Sequence, residues 1–197
     1  IDFRNGAQPC FVAYAKNNEG FKEINAYLSQ FLHAGEPIPA EAPPFKNAFV
    51  IYPFTSVTPE VSLRPNEFIG VHPRDLVRLS RSPLAKQKNK LVMWHPYSFN
   101  SKRHFNAHRL LRAIDNNCLL SKLPKSEEGQ PDDCWMHRHE LMALYSDFPQ
   151  IIANTTHLLQ RCRINFEFGD AYPHKNLRTY TTSVEEDDEL LRKLCYE

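Results

Sequence analysis

Apolar positions in this chain fall into short consecutive runs separated by longer stretches of helical spacing. Cys10-Phe-Val-Ala-Tyr-Ala15 is the first run and predicts a strand. Asn17 and Asn18 can cap the helix that follows, where Phe21, Ile24, Tyr27, Leu28, Phe31 and Leu32 recur three and four apart. Gly35 and four prolines (Pro37, Pro39, Pro43, Pro44) end it in an extended connector. Further strands are predicted over 48–52, 67–71 and 90–94, with a short helix opened by Pro73. Helical spacing returns over 105–114, 139–145 and 150–162; in the last, Ile151, Ile152, Thr155, Leu158, Leu159 and Cys162 share a face. Pro149 opens that helix, with Asp147 as its expected cap or dipole-facing anion. Ile164, Phe166 and Phe168 alternate with Asn165 and Glu167, the pattern of a half-buried strand. Residues 170–182 are irregular. The acidic run Glu185-Glu-Asp-Asp-Glu189 then starts a final helix striped by Leu190, Leu191 and Leu194. The polar segment 119–138 has no period and is expected to be a surface loop.

Strands alternate with helices, and each strand is apolar on consecutive positions. That predicts a parallel sheet covered on both faces, an open α/β sheet or a barrel. Chemistry in such folds sits at the carboxyl ends of strands, here just after Ala15, Tyr52, Val71 and Trp94.

The length of 197 residues fits one large domain or a domain with an appendage. A net charge of +1 points to no class of partner. The basic connector Arg78, Arg81, Lys86, Lys88, Lys90 reads as a solvated loop, with a nucleic-acid patch as the alternative. No apolar run reaches membrane-spanning length, and no signal peptide is recognisable. The five cysteines are scattered, with no Cys-x-x-Cys pair, which favours free thiols in a reducing, cytoplasmic setting. A chain that opens on Ile1-Asp-Phe-Arg and stops within a helical pattern is expected to be a fragment. There is no Gly-x-Ser-x-Gly and, with 6 glycines, no Gly-rich phosphate loop.

Three pieces carry a family resemblance: Ala107-His-Arg-Leu-Leu-Arg-Ala-Ile114, Glu140-Leu-Met-Ala-Leu-Tyr-Ser-Asp-Phe-Pro149, and Ala153-Asn-Thr155 with Arg161-Cys162. Together they resemble the PHP (polymerase and histidinol phosphatase) domain in the N-terminal region of bacterial DNA polymerase III alpha subunits, the family-C polymerases. Ala15-Lys-Asn-Asn-Glu-Gly-Phe21 agrees more loosely with a turn of that family. The resemblance implies a distorted (β/α)7 barrel, here incomplete. Residues 1–169 would be a PHP-like domain lacking its N-terminal His-x-His metal motif. Residues 170–197 would be the linker and helix that enter the polymerase palm.

Active members of the family hold metals with His, Asp, Glu and Cys and hydrolyse phosphoesters through metal-bound hydroxide. By resemblance, Asp2 keeps a carboxylate at one such position, though a solvated carboxylate is an equal reading. Cys10 stands where active members have a histidine, and a small core residue fits it better than a soft-metal ligand. Pro96 replaces an aspartate and Ser98 a histidine, leaving poor ligands, with His95 as the candidate if the alignment slips by one. The metal centre is therefore expected to be dismantled. His108, Asp147, Pro149, Asn154, Thr155 and Cys162 match family positions of structural character. His104 and His108 are four apart, as zinc ligands would be, but no Glu accompanies them. His137 and His139 read as solvated; His72 and His157 offer no partner recognisable from sequence.

The expected function is that of a scaffold and interaction domain of a DNA polymerase, inactive by itself. The alternative is a metal-dependent phosphoesterase or 3′–5′ proofreading exonuclease; a stand-alone α/β hydrolase is a third reading. The resemblance implies as partners the remainder of the alpha chain, a proofreading exonuclease subunit, a sliding clamp and, through the polymerase, DNA, with no membrane. It implies no cofactor for this stretch, Mg2+ for the polymerase core, and Zn2+ or Mn2+ only if the PHP site is active.

Overall fold

The computed structural model describes residues 1–6, 8–166 and 180–196. These fall into two compact units, Ile1–Ile164 and Asn165–Glu197.

The first unit is built on five strands: β1 (Asp2–Asn5), β2 (Gln8–Ala15), β3 (Ala48–Pro53), β4 (Glu67–Val71) and β5 (Leu91–Met93). They form one open sheet in the order β1-β2-β3-β4-β5. β2 is antiparallel to both its neighbours, β1 and β3, whereas β3, β4 and β5 are parallel. This corrects the expectation of an all-parallel sheet. The cause lies in the connection after β2. Helix α1 (Asn18–Ala34) runs back along the sheet, so that Ile38 reaches the start of β2 and exchanges two hydrogen bonds with the Asn5 side chain. The proline-rich connector then climbs back, and the Lys16 N–H meets the Asn47 carbonyl (2.8 Å) beside the end of β2. β3 therefore leaves in the opposite direction to β2.

α1 is capped by Asn17, which accepts from the Gly20 N–H, and ends on Gly35 at φ 67°. It buries Ile24 against Phe3, Phe11, Ala13, Val50 and Tyr52 on one face of the sheet. Farther along the same face, Ile69, Val71 and Leu91 pack with Tyr145, Ile151 and helix α2 (Leu76–Ser80). The other face carries Phe49, Ile51 and Val92.

The remaining helices of this unit are α3 (Lys102–Asp115), α4 (Lys125–Glu128), α5 (Arg138–Leu144) and α6 (Pro149–Gln160). α6 straddles the β5 edge. Its Ile151 lies with one core face and its Leu158 with the other. Between them Asn154 donates to the Leu91 carbonyl and Thr155 accepts from the Met93 N–H, both at 2.8 Å. Two side chains of one helical face thus satisfy the outward backbone groups of an edge strand, which would otherwise invite another strand.

Segment 119–138 is less of a free loop than its polarity predicts. It contains α4, whose Glu128 is buried and ion-paired with Arg109 (2.9 Å) and Lys125 (2.8 Å). The basic connector is also partly committed, since Lys90 donates to the carbonyls of Arg64 and Glu67. The strand expected over 164–168 does not form across 164–166, where Ile164 and Phe166 are exposed; Glu167 and Phe168 lie outside the described residues, as do 170–179 of the expected irregular stretch.

The second unit contains α7 (Val184–Tyr196). Ser183 caps it by accepting from the Glu186 N–H (3.2 Å), and Asp187 accepts from the backbone of Tyr180 and Thr181. These bonds to the backbone and hydroxyl of Thr181, together with the Tyr180 N–H, hold the Asp187 carboxyl below its ordinary range. Leu191 and Leu194 of its apolar stripe are exposed.

Candidate functional site

The carboxyl end of β5 runs directly into Trp94-His95-Pro96-Tyr97-Ser98, where sequence placed the metal positions. A cavity of about 200 Å3 lies beside it, lined by Asp2, Tyr14, Ile51, His95, Pro96 and Ser98 among others. Asp2, Val12 and Ile51 are register partners across β1, β2 and β3, so they present to the same face of the sheet. The structure therefore brings Asp2, His95, Pro96 and Ser98 together.

It does not bring Cys10 there. The β1–β2 register shifts between Phe3 and Arg4, where Cys10 is the extra residue of a bulge. The bulge breaks the two-residue alternation and turns Cys10 to the α1 face, where it joins Phe3, Phe11 and Ile24. Its thiol lies near the Asn5 amide (3.5 Å) and the Ile38 carbonyl (3.9 Å). Cys10 and Asp2 are on opposite faces and cannot share a ligand.

The potential ligands at the cavity are engaged or weak. Arg4 pairs with the Asp2 carboxylate. Pro96 offers no side-chain donor atom, and a neutral serine hydroxyl is a poor metal ligand. His95 faces the Cys134 carbonyl with Nε2 at 3.0 Å, so Nε2 carries the proton and Nδ1 the lone pair. That contact fastens the end of β5 to segment 133–135. Backbone bonds from Ser98 and Phe99 to the Asp133 carbonyl, and from Trp135 to the Phe99 carbonyl, tie down the same segment.

His72, just past the end of β4, was without an assigned partner in the sequence. It is 4% exposed, and its ring lies 5.7 Å from that of His95. Its Nδ1 accepts from the Arg74 N–H (3.2 Å), so the proton sits on Nε2. His72 cannot offer Nε2 to a metal while that turn bond stands, because the lone pair is on the other nitrogen. Burial first, and then Arg74 and His95, push the His72 imidazole down to about 4, so it is neutral near pH 7. The buried Nε2 of His72, Nδ1 of His95 and Oδ1 of Asp133 make no hydrogen bond with another protein group. Burial also raises the Asp133 carboxyl. Among the described residues, no group of three or more His, Cys, Asp or Glu is arranged to hold a metal ion.

A larger cleft of about 590 Å3 adjoins, sharing Arg4, Trp94, Pro96 and Ser98 with the first. His108 lines it and rests against Phe99 (5.3 Å between rings), while His104 is exposed at the start of α3. His137 packs between Trp135 and His139, and His157 is exposed.

The other family-matched positions do not themselves line this cavity. Asn154 and Thr155 seal the β5 edge. Cys162 packs beside Phe49, Ile51 and Val92, and burial raises its thiol. Pro149 is the first residue of α6, but Asp147 does not cap it. With the helix starting at 149 the capping position is Phe148, one residue too late for the Asp147 carboxylate. Asp147, Pro149, Lys88 and Leu79 instead line a separate cleft of about 660 Å3. Sequence reasoning missed His72 and Asp133; His72 carried a signal, standing directly after an apolar strand.

Fold and site define a mixed α/β domain with an open sheet and a small polar cavity at the end of β5. No protein-family model matches the chain. A stretch of 79 residues, 40% of the chain, is similar to the DNA polymerase III subunit alpha of Neisseria meningitidis serogroup A / serotype 4A (strain DSM 15465 / Z2491), with 25% identity. The similarity spans 7% of that protein's length. Among the described residues, no helix is long and apolar enough to cross a membrane.

Proposed function

We propose that this chain is a PHP-like scaffold and interaction domain of a protein of the DNA polymerase III alpha type, serving DNA replication without a metal centre of its own. One observation carries this reading: Pro96 and Ser98 stand with Asp2 around the cavity at the end of β5, while Cys10 is turned to the opposite face. Neither substituted position supplies a strong ligand, and the two remaining donors fall short of a four-coordinate site. In this reading the open sheet is part of a distorted (β/α)7 barrel in the cytoplasm. Residues from 170 onward lead to a polymerase core that uses Mg2+. The partners are the rest of that polymerase, a proofreading exonuclease subunit, a sliding clamp and DNA.

A metal-dependent phosphoesterase or 3′–5′ exonuclease is the second reading, and the presence of Asp2 and His95 in one cavity favours it. Elemental analysis of the purified chain, with exonuclease activity assayed on the same sample, separates the two. The scaffold reading expects substoichiometric metal and no activity above a His95→Ala control. Stoichiometric zinc or manganese, with activity lost on chelation, would overturn it.

A further inference from the structure

Three buried polar atoms, at the ends of β4 and β5 and on segment 133–135, have no bond to another protein group: His72 Nε2, His95 Nδ1 and Asp133 Oδ1. The bond on the far side of each ring fixes what its second nitrogen can do. His72 Nδ1 accepts from the Arg74 N–H (3.2 Å), so Nε2 is a donor. His95 Nε2 gives its proton to the Cys134 carbonyl (3.0 Å), so Nδ1 is an acceptor. Asp133, the residue before Cys134, adds a second acceptor in its carboxylate oxygen. Burial of such groups costs free energy unless a partner serves them.

The two rings do not serve each other. An end-on N–H···N bond sets imidazole centres on the order of 5–5.5 Å apart at most. The centres of His72 and His95 are 5.7 Å apart, with their planes at 40°. A partner for the three atoms must accept once and donate twice. Water does so. A metal cation does not, because it needs a lone pair where His72 presents an N–H. Chloride cannot donate, and ammonium cannot accept. We propose that one buried water molecule accepts from His72 Nε2–H and donates to His95 Nδ1 and Asp133 Oδ1. It would tie the ends of β4 and β5 to segment 133–135 and hold His95, which lines the cavity at the end of β5, from its second nitrogen. The proposal goes beyond the scaffold reading and does not rest on it.

Nitrogen-15 NMR of the full chain, labelled at histidine and treated with chelator, tests it at pH 7, where burial keeps His72 neutral. His72 should show its ring proton on Nε2 and a bare Nδ1. That proton should cross-relax with a long-lived water, told from proton exchange by the sign of the signal in the rotating frame. His95→Phe removes one acceptor and should speed exchange of the His72 ring proton at least about tenfold while the amide spectrum stays folded. A coupling across a direct bond between His72 Nε2 and His95 Nδ1, a ring proton without water contact, or an exchange rate indifferent to His95→Phe would overturn this proposal alone. Loss of the ring proton on adding one equivalent of zinc, with the His72 nitrogen shifted as a bound ligand, would overturn it together with the scaffold reading.

Discussion

Asn154 and Thr155 act on the backbone of another element, and their chemistry sets the size of the effect. Thr155 Oγ1 accepts from the Met93 N–H at 2.8 Å while donating to the Ile151 carbonyl at 2.7 Å. Asn154 Nδ2 serves the carbonyls of Lys88 and Leu91, both at 2.8 Å. Thr155→Val preserves shape and leaves the Met93 N–H without its partner. It should cost about 1–3 kcal/mol in urea unfolding, and Asn154→Ala a similar amount. Losses below about 0.5 kcal/mol would mean that solvent serves the edge as well as the helix does. His72 gives a prediction of a different kind. With its pKa lowered to about 4 from an ordinary value of 6.5, it stays neutral in the folded protein while the unfolded chain takes up a proton. Its contribution to stability is therefore undiminished above about pH 6.5, falls as pH drops toward 4, and amounts to a loss of up to about 3 kcal/mol. His72→Asn can keep the acceptor for Arg74 N–H and removes the titration. Unfolding measured from pH 7 to pH 4.5 should show wild type losing stability relative to this variant. Parallel curves would count against the buried neutral ring.

At the scale of elements, the apolar runs in the sequence give β2 through β5 and all the longer helices, because their burial follows local spacing. β1 is not legible: Asp-Phe-Arg-Asn places one residue, Phe3, in the core. Strand direction is not legible either, since it depends on the route of the connector from α1 rather than on any local pattern. Cys10 shows the same limit at finer grain, for one bulge residue reverses the face that alternation assigns. The motif residues Asn154 and Thr155 stand out in the sequence, but their task appears only when an edge strand lies beside them. Asp2, His95, Pro96 and Ser98 line one cavity, the last three because they directly follow the end of β5. Close packing of α1 on the connector hangs on Gly20, where an added Cβ would lie 1.9 Å from the Asn47 carbonyl oxygen. Gly20→Ala should force α1 off the entrance to β3 and destabilise the first unit by more than about 3 kcal/mol, read by thermal unfolding. A near-neutral result would show that the Ala48 end of β3 yields.

For the whole molecule, metal is the variable that divides scaffold from enzyme, and stability reports on it without any assay of activity. A ligand that binds only the folded state stabilises it by about 2.7 kcal/mol at one hundred times its dissociation constant. In a chain of this size that corresponds to a rise in melting temperature of roughly 5–11 °C. The cavity at β5 offers His95 Nδ1 and an Asp2 carboxylate already paired with Arg4, and His72 carries its proton on the nitrogen it would need to present. Saturating zinc or manganese should therefore leave the melting temperature within about 1 °C of the chelated protein. A rise of several degrees, abolished by His95→Ala, would identify a metal site at His95 and would move the reading from scaffold to phosphoesterase. The same rise unaffected by His95→Ala would place the metal elsewhere in the chain and leave the cavity at the end of β5 without a catalytic role.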